Sequence, residues 1–569
     1  MNIRRFALSS VAAASLIACS AAPERKDSTH ADLIIRNGVI YDGSGGAPIR
    51  GDVAIRGDRV VQVGDLAQWK AGKVVDAQGL AVAPGFINML SWATESLIQD
   101  GRALSDLKQG VTLEVMGEGS SMGPVNEAMR KEGQAQQSDI KYEITWKTLG
   151  GYLDFLVKKG ISVNVASMIG AETARTYVLG PVDKVPTPDE LKQMQDLVRE
   201  AMNEGALGVG SALIYAPGTY AKTPEVTALV AAAAESGGGY ISHMRSEGNT
   251  FLEALDELIG IGKATGAHVE VYHMKAAGKK NWPKMKQAIA RIEQAQKEGV
   301  DVSANMYTYT AGATGLNATM PTWVQEGGLD TWIERLKDKK IRKKVIKEMR
   351  TPTDKWENLM IAAGSPSRVL LVGFKSDKLK PLTGKTLAEV AKMRHTSPED
   401  TVIDLILEDH SPIGTVYFLM SEDNVKLGLS QPWVSLGSDE GGLAPEGPFL
   451  LSQPHPRAYG NFARFLGKYV RDEKVDTLPS AIHRLTSLPA KNWKLTDRGC
   501  LREGCFADVV VFDPATIADH ATFDKPAQFA TGVRDVFVNG EQVLKDGEPT
   551  DARPGQVVRG PGYKKAKRS

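Results

Sequence analysis

Residues 238–248 read GGYISHMRSEG, and residues 267–278 read AHVEVYHMKAAG. Each is a short apolar run that ends in a histidine, His243 in the first and His273 in the second. The interval between them, about thirty residues, is that of one strand–helix–strand unit. Neighbouring parallel strands joined in this way end on the same side of their sheet, so both imidazoles stand together. Parallel α/β barrels carry their chemistry at that C-terminal end. The pair reads as half of a metal site in a (β/α)8 enzyme.

Outward from the pair, strands alternate with capped helices, the pattern of a parallel sheet or barrel. Candidate strands lie at 83–88, 112–117, 162–169, 206–211, 240–243, 268–273, 302–307 and 433–438. Eight of them favour a closed barrel over an open sheet. Thr187-Pro188-Asp189-Glu190 is a capping box with proline at the first helical position. Leu191, Met194, Leu197, Val198 and Ala201 then share one face, and Gly205 stops the helix. Thr223-Pro224-Glu225 and Ser397-Pro398-Glu399-Asp400 start two more. Strands seven and eight stand too far apart for a loop, so about 314–424 is expected to form an inserted subdomain within a barrel at 83–490. On either side, 32–82 and 491–550 read as short strands with Asn, Asp and Gly turns, for example DLIIRNGVIYDGSG at 32–45 and VRDVFVNGEQVLKDGEP at 533–549. Two such flanks predict one β-sandwich assembled from both ends of the chain.

Composition limits the partners. The 569 residues carry 69 basic and 68 acidic side chains, so nothing in the charge balance points to nucleic acid. The final segment, 551–569, is a tail with four basic residues among its last six. At the other end, Arg4 and Arg5 precede an apolar run at 6–17 that is too short to span a bilayer, the form of a secretory signal. It closes on Leu16-Ile17-Ala18-Cys19, which resembles the lipobox of bacterial lipoproteins; that likeness implies lipidation of Cys19, a tether at 20–31 and a cell-envelope location. Cys500 and Cys505, in GCLREGC, are free to pair or to remain thiols, since their spacing requires neither.

A catalytic zinc takes three protein ligands and keeps one position open. His243 and His273 supply two. Glu118, in LEVMGEGSSMG at 113–123, ends the second strand in a glycine-flanked turn where an ion can be approached, and is the candidate third. Asp439, in WVSLGSDEGG at 433–442, ends the eighth strand, where a general base would sit. His268 begins its strand, at the opposite barrel end, and reads as structural. His395, His410, His483 and His520 have no site context in the sequence.

Beyond these residues a family likeness runs through most of the chain. LIYAPGTYAKTPE (213–225), SHMRSEG (242–248), YHMKAAGKKNW (272–282), YTYTAGATGL (307–316), LGSDEGG (436–442), HPRAYGNFARFLGKYV (455–470), LTSLPAKNW (485–493) and RGCLREGCFADVVVFDP (498–514) resemble, in order, the amidohydrolase superfamily and within it the D-aminoacylases, or N-acyl-D-amino-acid deacylases. The resemblance implies a distorted TIM barrel with a β-sandwich and metal-assisted amide hydrolysis. It assigns His243 and His273 as metal ligands and Asp439 as base. It also implies a substrate carboxylate held by basic and phenolic groups, for which Lys275, Tyr307, Tyr309 and Arg457 are the candidates; Tyr307 and Tyr309 share a strand face by the two-residue period.

The chain departs from the family at its first strand. The family follows PGFID with a His-x-His pair; here 84–92 read PGFINMLSW, with Leu90 and Trp92 at the two histidine positions. Neither side chain binds metal. Glu118 falls where the family has a cysteine ligand, and a further family histidine is replaced near Ala171-Glu172. What remains is Glu118, His243 and His273 with Asp439 opposite, and two histidines with a glutamate form a known catalytic zinc set. The expectation is therefore one Zn2+ per chain and hydrolysis of an N-acyl-D-amino acid. Hydrolysis of cyclic amides or dipeptides, an isomerase or lyase, and a non-catalytic envelope-binding lipoprotein are the alternative readings.

Overall fold

A computed structural model of the chain describes residues 29–565. The segment read as a secretory signal, with Cys19, and most of the expected tether lie outside the described residues.

Eight parallel strands surround the core: Phe86–Asn88, Val111–Met116, Asn164–Ser167 with its continuation Ile169–Gly170, Gly208–Ala212, Gly239–His243, Val269–Val271, Val302–Met306 and Val434–Leu436. They are counted first to eighth below. Ladders run through the first three and again from the third to the eighth. The Met168 N–H, bonded to the Met116 carbonyl at 2.8 Å, joins the two ladders. The eighth strand closes on the first through Met89 N–H to Leu436 O at 3.1 Å and a bridge between Ser91 and Glu440. Alternate residues point inward and fill the barrel with Ile87, Leu90, Leu113, Met168, Ile241 and Tyr272, among others.

The run read as one strand at 83–88 divides. Ala81–Pro84 leaves the barrel and pairs antiparallel with Val509–Phe512, and the barrel strand begins at Phe86. Gly85 makes the corner because a Cβ there would stand 2.1 Å from Thr112 Oγ1. Helix signals are met with one change. Thr187 caps Pro188–Asn203 in a reciprocal box with Glu190, and Met194, Val198 and Ala201 are buried beneath it. Ser397 caps Pro398–Asp409. Thr223, by contrast, lies inside helix Thr223–Ala234 and its hydroxyl donates to Glu257 instead of capping.

Both chain flanks contribute to one curled sheet of nine strands. Its longest strand, His30–Ile40, is bulged between Ile35 and Gly38; the first half pairs with Lys70–Asp76 and the second with Ala81–Pro84. This change of partner wraps the sheet around Leu33, Ile35, Val53, Val82, Val509 and Phe537. Cys500 and Cys505 are joined by a disulfide beside it. Residues beyond the sheet stay on the protein: the Val558 N–H bonds Val165 O at 2.8 Å and the Gly560 N–H bonds Gly205 O at 2.9 Å, beneath the barrel.

Between the seventh and eighth strands, Gly312–Gly315, Val369–Gly373 and Gly414–Tyr417 form an antiparallel sheet carrying helices that include Leu329–Lys337 and Lys339–Met349. This insertion stands over the C-terminal mouth of the barrel.

Candidate active site

Glu118 follows the second strand in the turn Gly117-Glu118-Gly119. Both glycines have positive φ, +106° and +67°, and Cβ atoms on them would stand 2.5 Å from Met168 O and 2.6 Å from Ala212 Cβ. The turn thus needs glycine on each side to bring a carboxylate into the mouth. His243 is the last residue of the fifth strand, and His273 lies two residues past the sixth. The ligand atoms of Glu118, His243 and His273 lie within 4.8 Å of one another. Glu118 Oε1 is 3.1 Å from His243 Nδ1 and 2.9 Å from His273 Nε2.

Three donors bonded to a tetrahedral zinc at roughly 2.0–2.1 Å would stand about 3.3 Å apart. The cluster is already near that geometry, and its donor types are those of a catalytic zinc site, so these residues fit the ion. His273 also has the outward partner typical of a metal-binding histidine, Glu247, whose Oε1 is 3.0 Å from its Nδ1. Burial pushes the His273 pKa down, but Glu247 and Glu118 outweigh it and hold the ring up to about 9. The Glu118 and Glu247 carboxyls, though buried, are driven well below their usual range by the imidazoles and, for Glu247, by Lys275.

Two site residues hold backbone conformations that favour glycine. His273 has φ +33° and Asp439 has φ +55°, each costing roughly 1–3 kcal/mol. Hydrogen bonds hold both in place: the His273 N–H donates to Asn305 Oδ1 at 2.8 Å, and the Asp439 N–H to Leu90 O at 2.8 Å. Asp439 is thereby aimed across the mouth. Burial raises its pKa, opposed chiefly by Arg457, whose Nη1 is 2.8 Å from Asp439 Oδ2.

The proposed substrate contacts separate. Lys275 is buried, hydrogen-bonds to Glu247 and lies 2.8 Å from His273 Nδ1. Arg457, on the helix Arg457–Arg464, stacks its guanidinium 4.4 Å above the Tyr307 ring. Tyr307 lines the cavity, and its hydroxyl has no hydrogen-bond partner among the described residues. Tyr309 does not join them. The seventh strand ends at Met306, its two-residue alternation is lost, and the Tyr309 hydroxyl turns away to Asp519 at 3.2 Å. His268 stays at the far end, bonded to Asp301 at 2.9 Å.

Four contributors are not among the candidate site residues, although the sequence marks Trp92 and Glu172 as replacements of family ligands and predicts the insertion. Glu247 stands four residues after His243, a spacing that only a structure shows to fold back on the site. Glu172 is buried on the cavity wall; burial pushes its carboxyl up to about 8, and its Oε2 has no partner among the described residues. Trp92 donates its indole N–H to Glu118 Oε2 at 3.0 Å and to Asp439 Oδ1 at 3.2 Å. The insertion adds an apolar wall of Leu359, Val372, Tyr417 and Leu419 to a cavity of about 430 Å3. The other non-ligating replacement, Leu90, is 1 % exposed and packs in the barrel interior against Gly437, where a Cβ would stand 2.5 Å from that of Leu90. Its burial stabilises the barrel by about 2 kcal/mol in place of a metal contact.

Residues 73–544 match the model of the amidohydrolase family. A D-aminoacylase of Alcaligenes xylosoxydans xylosoxydans is 32 % identical, over 94 % of this chain and 99 % of that protein. The crystal structure of an N-acyl-D-glutamate deacylase from Bordetella bronchiseptica, complexed with zinc and a phosphonate mimic of the tetrahedral intermediate, superimposes with a TM-score of 0.76 at 30 % identity, covering 93 % of this chain and all of that one. A D-aminoacylase structure from work on its binuclear metal centre, described as showing one-metal activation and second-metal attenuation, gives a TM-score of 0.77 at 31 % identity over 93 % of this chain and 99 % of that one. With a barrel mouth that assembles two histidines, a glutamate and an opposing aspartate, and with these likenesses over nearly its whole described length, the chain belongs to the amidohydrolase family and is similar throughout to its D-aminoacylases.

Proposed function

We propose that the protein hydrolyses N-acyl-D-amino acids with a single zinc ion held by Glu118, His243 and His273. The observation that carries this reading is the compact donor set facing Asp439 across one cavity. One-metal activation described for a D-aminoacylase supports the count of one, and zinc in the deacylase relative supports the ion. Zinc bound at this donor set supplies Lewis acidity, polarising the scissile carbonyl and making nearby water more acidic.

The protein's own groups then do the following. Water attacks the acyl carbon, forming a C–O bond while its proton passes to the Asp439 carboxylate. As the C–N bond breaks, Asp439 returns that proton to the departing nitrogen, leaving a carboxylate and a free amino acid. Arg457 and Lys275 provide the positive field for the substrate carboxylate, with Tyr307 between them. They are the only basic Lys or Arg side chains lining the cavity among the described residues, and each already faces a protein carboxylate. The insertion adds apolar surface through Leu359, Val372 and Leu419, and the carboxyls of Glu172 and Glu440 also line the wall. The preferred amino acid accordingly has an apolar side chain, since a second substrate carboxylate would find no free cation.

Elemental mass spectrometry of protein purified without added metal, joined to a panel of N-acetyl-D- and L-amino acids, tests this. About one zinc per chain, and kcat/KM at least 10-fold higher for N-acetyl-D-leucine than for N-acetyl-D-glutamate, is expected. Absence of metal after zinc incubation, or turnover confined to the acidic substrate, would each count against it. The location is a proposal from the sequence alone: Cys19 carries a lipid that anchors the enzyme in the envelope. Cys19→Ala should move the protein from the membrane fraction to the soluble one.

A further inference from the structure

The charges of the site form one connected chain. Lys275 meets Glu247, Glu247 meets His273, His273 meets Glu118, and at the other end Asp439 meets Arg457. Between the two ends, Glu118 Oε2 and Asp439 Oδ1, both carboxylate oxygens, face the same point, and the group between them is the neutral indole N–H of Trp92. The Trp92 main chain is fixed from behind, where its N–H donates to Glu440 O at 2.9 Å. Its side chain is still 40 % exposed at the mouth, so burial in the core does not explain the tryptophan.

We infer that Trp92 is a positioning residue that replaces a cation between Glu118 and Asp439 and closes that space to a second metal ion. This rests on the single-zinc reading above. An indole can only donate, and its single N–H is shared between the two carboxylates in charge-assisted contacts of 3.0 and 3.2 Å. It holds both acids in place without taking a lone pair in coordination. A second ion at the same point would take Asp439 as a ligand and stabilise its anion, lowering the basicity needed to accept the proton of the attacking water. A neutral N–H stabilises the carboxylate far less than an ion would, so the indole fixes the base and leaves it able to accept the proton.

Zinc titration of the full chain, with bound metal counted by elemental mass spectrometry after gel filtration, tests this alongside steady-state kinetics. Wild type should saturate at one zinc even in large excess. Trp92→Phe keeps a ring but loses the N–H; it should still hold one zinc, with kcat reduced about 10-fold and KM within twofold. Trp92→His restores a metal-binding side chain beside both carboxylates and should take up a second equivalent. Two zinc ions in wild type, or an unchanged kcat in Trp92→Phe, would overturn the role of Trp92 while leaving the hydrolase reading intact. No zinc in wild type would overturn the single-zinc reading and this inference together.

Discussion

Asp439 and Glu247 show how differently single side chains enter this site. Asp439 is held by its backbone bond to Leu90, by Trp92 and by Arg457, so its position does not depend on a metal. Asp439→Asn should therefore retain its zinc while kcat falls by about 10²–10⁴, the usual contribution of a general acid–base group; full activity in a zinc-replete variant would exclude it as the base. Glu247 acts through His273 and Lys275. Removing its charge with Glu247→Gln should weaken zinc binding about 10-fold or more, measured by competition with a chelator, with the protein still folded. Tyr309 marks the limit of reasoning from periodicity. Two-residue alternation holds only inside a strand, and the strand ends at Met306.

The sixth strand and its neighbours carry a pH-dependent stabilisation away from the chemistry. His268, which precedes Val269–Val271, is almost wholly buried against Asp301 and Glu270. Burial lowers its pKa, but these two carboxylates outweigh that and hold it up to about 9. A folded-state pKa above the ordinary 6.5 makes the stabilisation complete below pH ~6.5, and it is lost as pH rises through about 9. Solvent screens the Asp301 partner, whose side chain is 68 % exposed, but not Glu270, which is buried. Urea unfolding at several pH values should show the wild-type midpoint falling between pH 6.5 and 9 more steeply than that of His268→Gln. Equal slopes would show that His268 gains nothing from being charged.

The whole protein is closed by contacts between segments distant in sequence. The N-terminal flank pairs with the C-terminal flank across Ala81–Pro84 and Val509–Phe512, and residues 551–565 continue beneath the barrel through Val558, Gly560 and the Lys564 N–H bonded to Asn203 O. Truncation after Thr550 removes these bonds and the burial of Val558. It should lower the thermal unfolding midpoint by several degrees while leaving the zinc content at that of the full chain; an unchanged midpoint would show that the segment contributes no stability. The number and order of the barrel strands, apart from the break of the first at Gly85, the capped helix after Thr187 and the gathering of His243, His273, Glu118 and Asp439 at one mouth were legible beforehand. Hydrophobic period, capping chemistry and βαβ spacing are local properties, and strand ends at fixed spacing converge on one side of a barrel. Tertiary structure alone decided that Glu247 turns back on His273, that Glu172 and the insertion line the cavity, and that the Trp92 indole bridges Glu118 and Asp439. Those contacts join residues from different strand ends and from the insertion, and their side-chain directions follow from three-dimensional closure, not from any pattern along the chain.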